Sequence, residues 1–375
     1  MTYSFRLKTS AYLILLLIMS ARSFGFRKDS SRVKKGNTTW LAVPTLGSAP
    51  ETGFYFGSVA LADFKFAKDS LARHSVVKTE LTYSLKNQFI AAADWTLSQK
   101  EGRWIFFGKN AWLRFPELFW GFGGKAKRGD DFLYDARRIE LSNSFYKRIS
   151  TRSAWYLGLC QQYQHIYQTA YLGDMPIEKQ ALVNPFSSIR TGISSGLGLG
   201  ILKDNRSNLL NPKAGEMYLS LQGMGFGKAL GSDFGFAAAD ADLRYFRKAP
   251  WGGVTAFQLI SRHRTGGSPF RMQGILGGNM MLRGYYFGRY RDLNFSAAQA
   301  EYRYLPGRLL GFTAFAAAGQ VYRFDQLQEA GKIKWSGGLG IRIRVDKKEN
   351  TYLRSDFAMT GEGDFGFYFA FGEAF

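Results

Sequence analysis

From about residue 38 onward, apolar and polar residues alternate with a period of two, in short runs broken by turn residues. The C-terminus is the clearest case. Phe365, Phe367, Phe369, Phe371 and Phe375 occupy odd positions, with Gly366, Tyr368, Ala370 and Gly372 between them. Ile341, Ile343 and Val345 alternate with Arg342, Arg344 and Asp346, and Met217, Leu219 and Leu221 with Tyr218, Ser220 and Gln222. Leu353 and Phe357 lie opposite Tyr352, Arg354 and Asp356. In a soluble sheet a column of Phe needs a covering layer, and no chain remains to supply one after the last run.

The pattern predicts sixteen strands, near 38–46, 51–66, 73–86, 88–98, 103–115, 131–148, 150–167, 190–203, 215–227, 234–247, 250–264, 291–304, 308–324, 333–346, 350–360 and 364–375. An even number of strands, each with one greasy and one polar face, predicts an all-β, 16-stranded antiparallel transmembrane β-barrel. Arg342 and Arg344 on an inner face would be very costly in a dry core and suit a polar lumen.

The first residues follow another pattern. Arg6 and Lys8 precede the apolar run Ala11–Met19, and the small residues Ser20, Ala21, Ser23 and Gly25 follow it. A charged start, a short greasy core and a small-residue exit predict a cleaved secretory signal peptide over 1–25. The run is too short to span a bilayer comfortably. A short basic leader over 26–37 would follow, and then one barrel domain over 38–375.

Composition sharpens this picture. The 33 Phe, 20 Tyr, 8 Trp and 43 Gly fit strands that meet lipid on one face, while only 9 Pro interrupt them. The net charge of +21 is spread along the chain without a patch or a nucleic-acid motif, which argues against nucleic-acid binding. Loops and lumen are its expected homes, with attraction to anionic headgroups as a secondary effect. The single Cys160 excludes an internal disulfide and a cysteine metal cluster. No metal and no cofactor is expected.

Several segments carry a resemblance. Gly277-Gly278-Asn279-Met280-Met281-Leu282-Arg283-Gly284-Tyr285 lies between the eleventh and twelfth strands. Asp204-Asn205-Arg206 leads to Pro212-Lys213-Ala214-Gly215, and Glu301-Tyr302-Arg303-Tyr304 follows later. Phe315–Gly319 runs into Gln320-Val321-Tyr322, then Gly338-Leu339-Gly340-Ile341-Arg342 into Leu353-Arg354-Ser355-Asp356, while Pro44 precedes Glu51-Thr52-Gly53. In this order the segments resemble the Omp85 superfamily, the BamA and TamA or surface-antigen D15 type of outer-membrane barrel, over about residues 38–375.

The resemblance implies that Leu282, Arg283, Gly284 and Tyr285 form a loop-six motif folded into the lumen, its Arg paired with acids on the inner wall. A guanidinium drawn from water needs such partners. Glu301 is the first candidate, and Asp356 a second, because Ala317 stands where the family places an Asp. Asp204, Arg206, Pro212 and Gly215 would form the family turn. Phe367, Phe369, Phe371 and Phe375 resemble the C-terminal barrel signal. If strand one leaves the periplasm, turns after odd-numbered strands face outward and the Arg283 segment is an external loop.

Two enzyme-like patterns are set aside. Gly192-Ile193-Ser194-Ser195-Gly196 matches a nucleophile motif but runs into the strand-like Gly196–Gly200, where no helix can follow. His74, His165 and His263 are far apart, and no Ser–His pair is expected on one outward strand face near the outer rim. Asp130, Asp131 and Asp135 read as a solvated turn.

The expected function is therefore not enzymatic. It is assistance in inserting or translocating proteins at the bacterial outer membrane, through a weak seam between the first and last strands and the Arg283 loop. The partners implied are outer-membrane lipid and lipopolysaccharide, nascent outer-membrane proteins, and a periplasmic or lipoprotein partner. The expected absence of family POTRA domains weakens the analogy. The alternative is a passive, anion-favouring channel lined by Arg303, Arg342, Arg344 and Arg354.

Overall fold

The computed structural model describes residues 34–35, 38–66, 75–99, 102–129, 131–150, 153–172, 191–209, 211–306, 309–346 and 351–375. Sixteen strands build the wall: β1 (Thr38–Ala49), β2 (Gly53–Phe64), β3 (Ser75–Ser84), β4 (Phe89–Gln99), β5 (Trp104–Arg114), β6 (Phe132–Arg148), β7 (Trp155–Leu172) and β8 (Gly192–Asp204). β9 (Met217–Phe226), β10 (Phe236–Lys248), β11 (Val254–Arg264), β12 (Asn294–Tyr304), β13 (Leu310–Tyr322), β14 (Lys334–Asp346), β15 (Thr351–Thr360) and β16 (Phe365–Phe371) complete it.

Each strand pairs antiparallel with the next, in fifteen ladders. β1 and β16 lie side by side, but among the described residues no ladder joins them. One side chain crosses this seam: the Tyr55 hydroxyl donates to the Phe369 carbonyl oxygen at 2.8 Å. Gly47 makes that reach possible, since a Cβ there would lie 2.2 Å from the Tyr55 ring.

The period of two becomes an inside and an outside. On β13, Leu310 and Phe312 are exposed to the exterior while Thr313, Phe315 and Ala317 are buried within. Trp335, Leu339, Ile341, Phe357, Phe365 and Phe367 extend the exposed apolar face. Lipid takes the place of the missing second layer. The inner wall has two chemical regions. Around β5–β10 it packs Ile105, Tyr146, Tyr156, Leu202, Met224, Phe226 and Phe236, whereas around β12–β16 it is ionic.

The connections after odd-numbered strands meet at one end, where Lys86 donates to the Pro50 carbonyl oxygen and Lys125 pairs with Glu329. The other connections are mostly short. A three-residue strand, Glu117–Phe119, follows β5 and pairs with β6, and Gly274–Leu276 pairs with Tyr290–Asp292 at the base of the long loop. The expected signal peptide lies outside the described residues, as do His74 and Asp130. Of the leader, Lys34–Lys35 is described and pairs with Thr38 and Thr39.

The expected last strand needs correction. β16 stops at Phe371, because Gly372 takes a φ of +83° and turns the chain inward. Phe375 therefore leaves the lipid-facing column and is buried beside Phe246, Ala256 and Ala374. Phe367 stays exposed on the outer face and Phe369 is half-buried, while the Phe371 side chain lies outside the described residues.

Candidate functional site

The segment between β11 and β12 enters the barrel because its backbone can reverse within a few residues. Gly277, Gly278 and Gly284 have φ of +103°, +122° and +107°, and Leu282 a rarer +51°. The Gly278 N–H donates to the Tyr285 carbonyl oxygen at 3.1 Å, closing a tight loop that presents Arg283 at its tip. Leu282 packs into Tyr285, Tyr290, Ala297, Ala317 and Val321. At Ala317 the wall thus offers this loop an apolar seat.

Arg283 reaches two carboxylates. Its Nη2 lies 2.6 Å from Glu301 Oε2 and its Nη1 2.6 Å from Asp356 Oδ2, with all three side chains almost fully buried. The Phe315 ring lies under the guanidinium, 3.4 Å from its carbon. Strand parity sets this geometry: Glu301 on β12, Phe315 on β13 and Asp356 on β15 all point inward. Asp356 supplies a second acid where Ala317 cannot.

The cluster extends beyond the pair. Arg303 Nε lies 2.9 Å from Glu301, and Arg342 is 2.6 Å from Asp356 and 3.5 Å from Glu301. Glu373, carried inward by the turn at Gly372, lies 2.8 Å from Arg342. Arg303 also donates to the Phe375 carbonyl oxygen at 2.9 Å. Arg354 donates to the Asn279 carbonyl oxygen at 2.9 Å, and Gln299 to that of Met280 at 3.0 Å, so the wall grips the loop backbone as well. From β16, the Tyr368 hydroxyl accepts the Gly284 N–H at 2.8 Å. Loop, wall and chain end form one network.

This corrects the lumen expected for a channel. Arg303, Arg342 and Arg354 are buried and committed to carboxylates or loop carbonyls, not free to attract ions. A second ionic knot holds the loop near its base. Glu117 accepts from Arg271 at 2.9 Å and Arg291 at 3.0 Å, and Tyr134 donates to the same carboxylate. Nothing in the spacing of Glu117 singled it out.

The family turn assembles at the opposite end. Asp204 accepts from the Arg206 backbone N–H at 3.1 Å and from its guanidinium at 2.9 Å, and Arg206 covers the Tyr218 ring. Past Pro212, Gly215 takes a φ of +89° and its N–H donates to the Phe246 carbonyl oxygen at 2.7 Å. These groups brace β8 to β9 and β10.

Ser194 lies within β8, without the turn a nucleophile elbow needs. Asp135 pairs with Arg114 at 2.8 Å. One expectation fails. Ser261 and His263 do share the outer face of β11 at the loop end, with Ser261 Oγ 2.8 Å from His263 Nε2. Their i, i+2 spacing was legible; the partner Ser296, which β12 brings opposite Ser261, was not.

Comparison with known proteins gives the same architecture. The structure is similar to BamA of Haemophilus ducreyi lacking POTRA domains 1–3, with TM-score 0.57 and 11% identity over 90% of this chain and 70% of that one. CdiB of Acinetobacter baumannii gives 0.56 and 12%, over 91% and 60%. CdiB of Escherichia coli gives 0.56 and 12%, over 91% and 63%. The chain thus spans less than two thirds of either CdiB, and likeness at such identity shows the fold alone. No curated protein matches the chain. The Omp85 superfamily domain matches residues 76–375. With its nearly closed antiparallel barrel and lipid-facing apolar belt, the chain is a bacterial outer-membrane β-barrel belonging to the Omp85 superfamily.

Proposed function

We propose that this barrel assists the insertion or translocation of proteins at the outer membrane, without chemistry of its own in that task. The observation that carries the reading is the seam. Fifteen strand pairs are laddered, while β1 and β16, though side by side, form no ladder among the described residues. Unsatisfied backbone groups are costly in hydrocarbon, and an incoming strand can satisfy them by edge pairing. The Tyr55–Phe369 bond is a weak clasp that a substrate strand can replace. The Arg283 cluster keeps the loop in the lumen, and its links to Tyr368, Glu373 and Phe375 tie that loop to the seam strand.

Nascent outer-membrane proteins are the substrates this reading requires, with lipopolysaccharide and phospholipid as surroundings and a periplasmic or lipoprotein partner to deliver them. The test combines depletion with photocrosslinking from Trp40, Leu46, Phe365 and Phe367. The expected result is loss of other barrels from the outer membrane and crosslinks to nascent barrels from both edges. An unchanged outer-membrane proteome with no such crosslinks would sink the proposal. The channel reading then predicts anion-selective conductance in planar bilayers, which the buried, paired arginines argue against.

A further inference from the structure

The outer face of the barrel carries a polar chain where lipid contact would favour none. On β11, β12 and β13, Ser261, Ser296 and Tyr322 face outward beside the exposed apolar Leu259 and Phe324. Tyr322 hydroxyl lies 3.0 Å from Ser296 Oγ, Ser296 Oγ 2.7 Å from Ser261 Oγ, and Ser261 Oγ 2.8 Å from His263 Nε2. Each hydroxyl has one proton, so the chain has a consistent direction. Tyr322 donates to Ser296, Ser296 to Ser261, and Ser261 to Nε2 of an imidazole protonated at Nδ1.

The imidazole is held in place. It stacks on Phe324 at 22° and 5.5 Å between centroids, and meets Tyr322 at 6.2 Å. Its Nδ1 is buried without a partner. Phe324 itself is 66% exposed, an aromatic platform at the loop-end rim. Tyr and other amphipathic rings mark the membrane interface, the depth at which lipid ester carbonyls lie. A serine hydroxyl bonded to a histidine nitrogen is the arrangement that makes a weak nucleophile reactive.

We propose that Ser261 and His263 form a nucleophilic dyad that cleaves the acyl esters of membrane lipids entering from the side of the barrel. Ser261 Oγ attacks the ester carbonyl carbon and its proton passes to His263 Nε2. The tetrahedral oxyanion then collapses and the C–O bond to the lyso-lipid breaks. The departing alkoxide takes the proton from Nε2, leaving an acyl-serine. Water hydrolyses that ester, its proton returning to Ser261 through Nε2, to release a fatty acid. As Ser261 Oγ bonds to carbon, the Ser296 hydroxyl is released to turn toward the oxyanion, with Tyr322 still donating to Ser296. With no carboxylate on Nδ1, turnover is slow. The activity is independent of any role of the seam.

The experiment uses the full chain refolded in detergent micelles, with folding checked by heat-modifiable gel mobility. A long-chain alkylsulfonyl fluoride is the covalent probe and micellar p-nitrophenyl palmitate the substrate. The expected result is a single adduct on Ser261, with ester hydrolysis lost to the background of micelles alone in S261A. His263→Asn is expected to reduce labelling at least tenfold, and Ser296→Ala and Tyr322→Phe to lower kcat with KM unchanged. These positions face outward, so the variants are expected to fold. A folded barrel with no Ser261 adduct, or hydrolysis that survives S261A, overturns the proposal.

Discussion

Replacing Glu301 by Gln asks whether the lumen cluster holds as a charge-balanced unit. Glu301 lies 2.6 Å from Arg283, 2.9 Å from Arg303 and 3.5 Å from Arg342, and no side chain of the four is more than 1% exposed. With Arg354, four guanidiniums face the three carboxylates Glu301, Asp356 and Glu373, an excess of one positive charge. E301Q leaves four against two. Stranding one buried charge costs about 3–5 kcal/mol, and three guanidiniums each lose one carboxylate partner here, so the upper part of that range is expected. R283M leaves three against three. It releases the loop but balances the cluster, so its global cost is expected to be smaller. The double variant restores the original excess of one, and its cost falls short of the sum of the singles by about 1–3 kcal/mol. Urea unfolding of the refolded chain in micelles, followed by tryptophan fluorescence, measures all three. Limited proteolysis between Gly277 and Gly288 reports loop release. Additivity of the two substitutions within about 0.5 kcal/mol, or a larger global cost for R283M than for E301Q, would refute the reasoning.

Three further outcomes follow from the geometry. Tyr55→Phe removes the only side-chain hydroxyl bond described across the seam and is expected to cost about 0.5–1.5 kcal/mol, while Gly47→Ala places a Cβ 2.6 Å from the Phe369 carbonyl oxygen and parts the strands further. Hydrogen exchange of β16 amides checks both, and slower exchange in either variant contradicts the clasp. Burial lifts Glu51, in the turn after β1, to about 7, against the opposing pull of its backbone hydrogen bond and Lys86. The fold therefore binds more protons than the unfolded chain between the ordinary carboxylate range and about 7, so stability falls as pH rises through that window; E51Q should flatten the pH profile of unfolding. Glu373→Gln removes the carboxylate from Arg342 and should loosen residues 372–375, seen as faster modification of a thiol introduced by A374C.

The barrel was legible because lipid imposes a single rule on every strand. Leu310, Phe312, Trp335, Leu339 and Ile341 must be apolar, and their neighbours need not be. That rule found sixteen strands and placed Glu301, Arg342 and Asp356 on the inner wall. It says nothing of a turn inside the lumen. The parity of the C-terminal Phe run continues to Phe375 in sequence, yet one glycine at φ +83° moves Phe375 to the other side of the wall. The ribbon Gly274–Leu276 with Tyr290–Asp292 was equally invisible, because three residues are too few to show a period.

The site was legible only in part, for the same reason. Arg283 and its first acid follow from a motif and a strand face, but the balance of the cluster depends on Glu373, which lies beyond the turn that parity cannot register. Its position has a consequence. Arg283 itself is held by two acids of the wall, Glu301 and Asp356. Here the third carboxylate travels with the end of β16, and Tyr368 of the same strand accepts from Gly284 of the loop. Moving β16 at the seam therefore withdraws a charge from the cluster and a hydrogen bond from the loop together. Conversely, a loop seated on Glu301 and Asp356 draws the strand end inward through Arg342. Placing the third acid on the chain end couples the two parts that the proposed function requires to move.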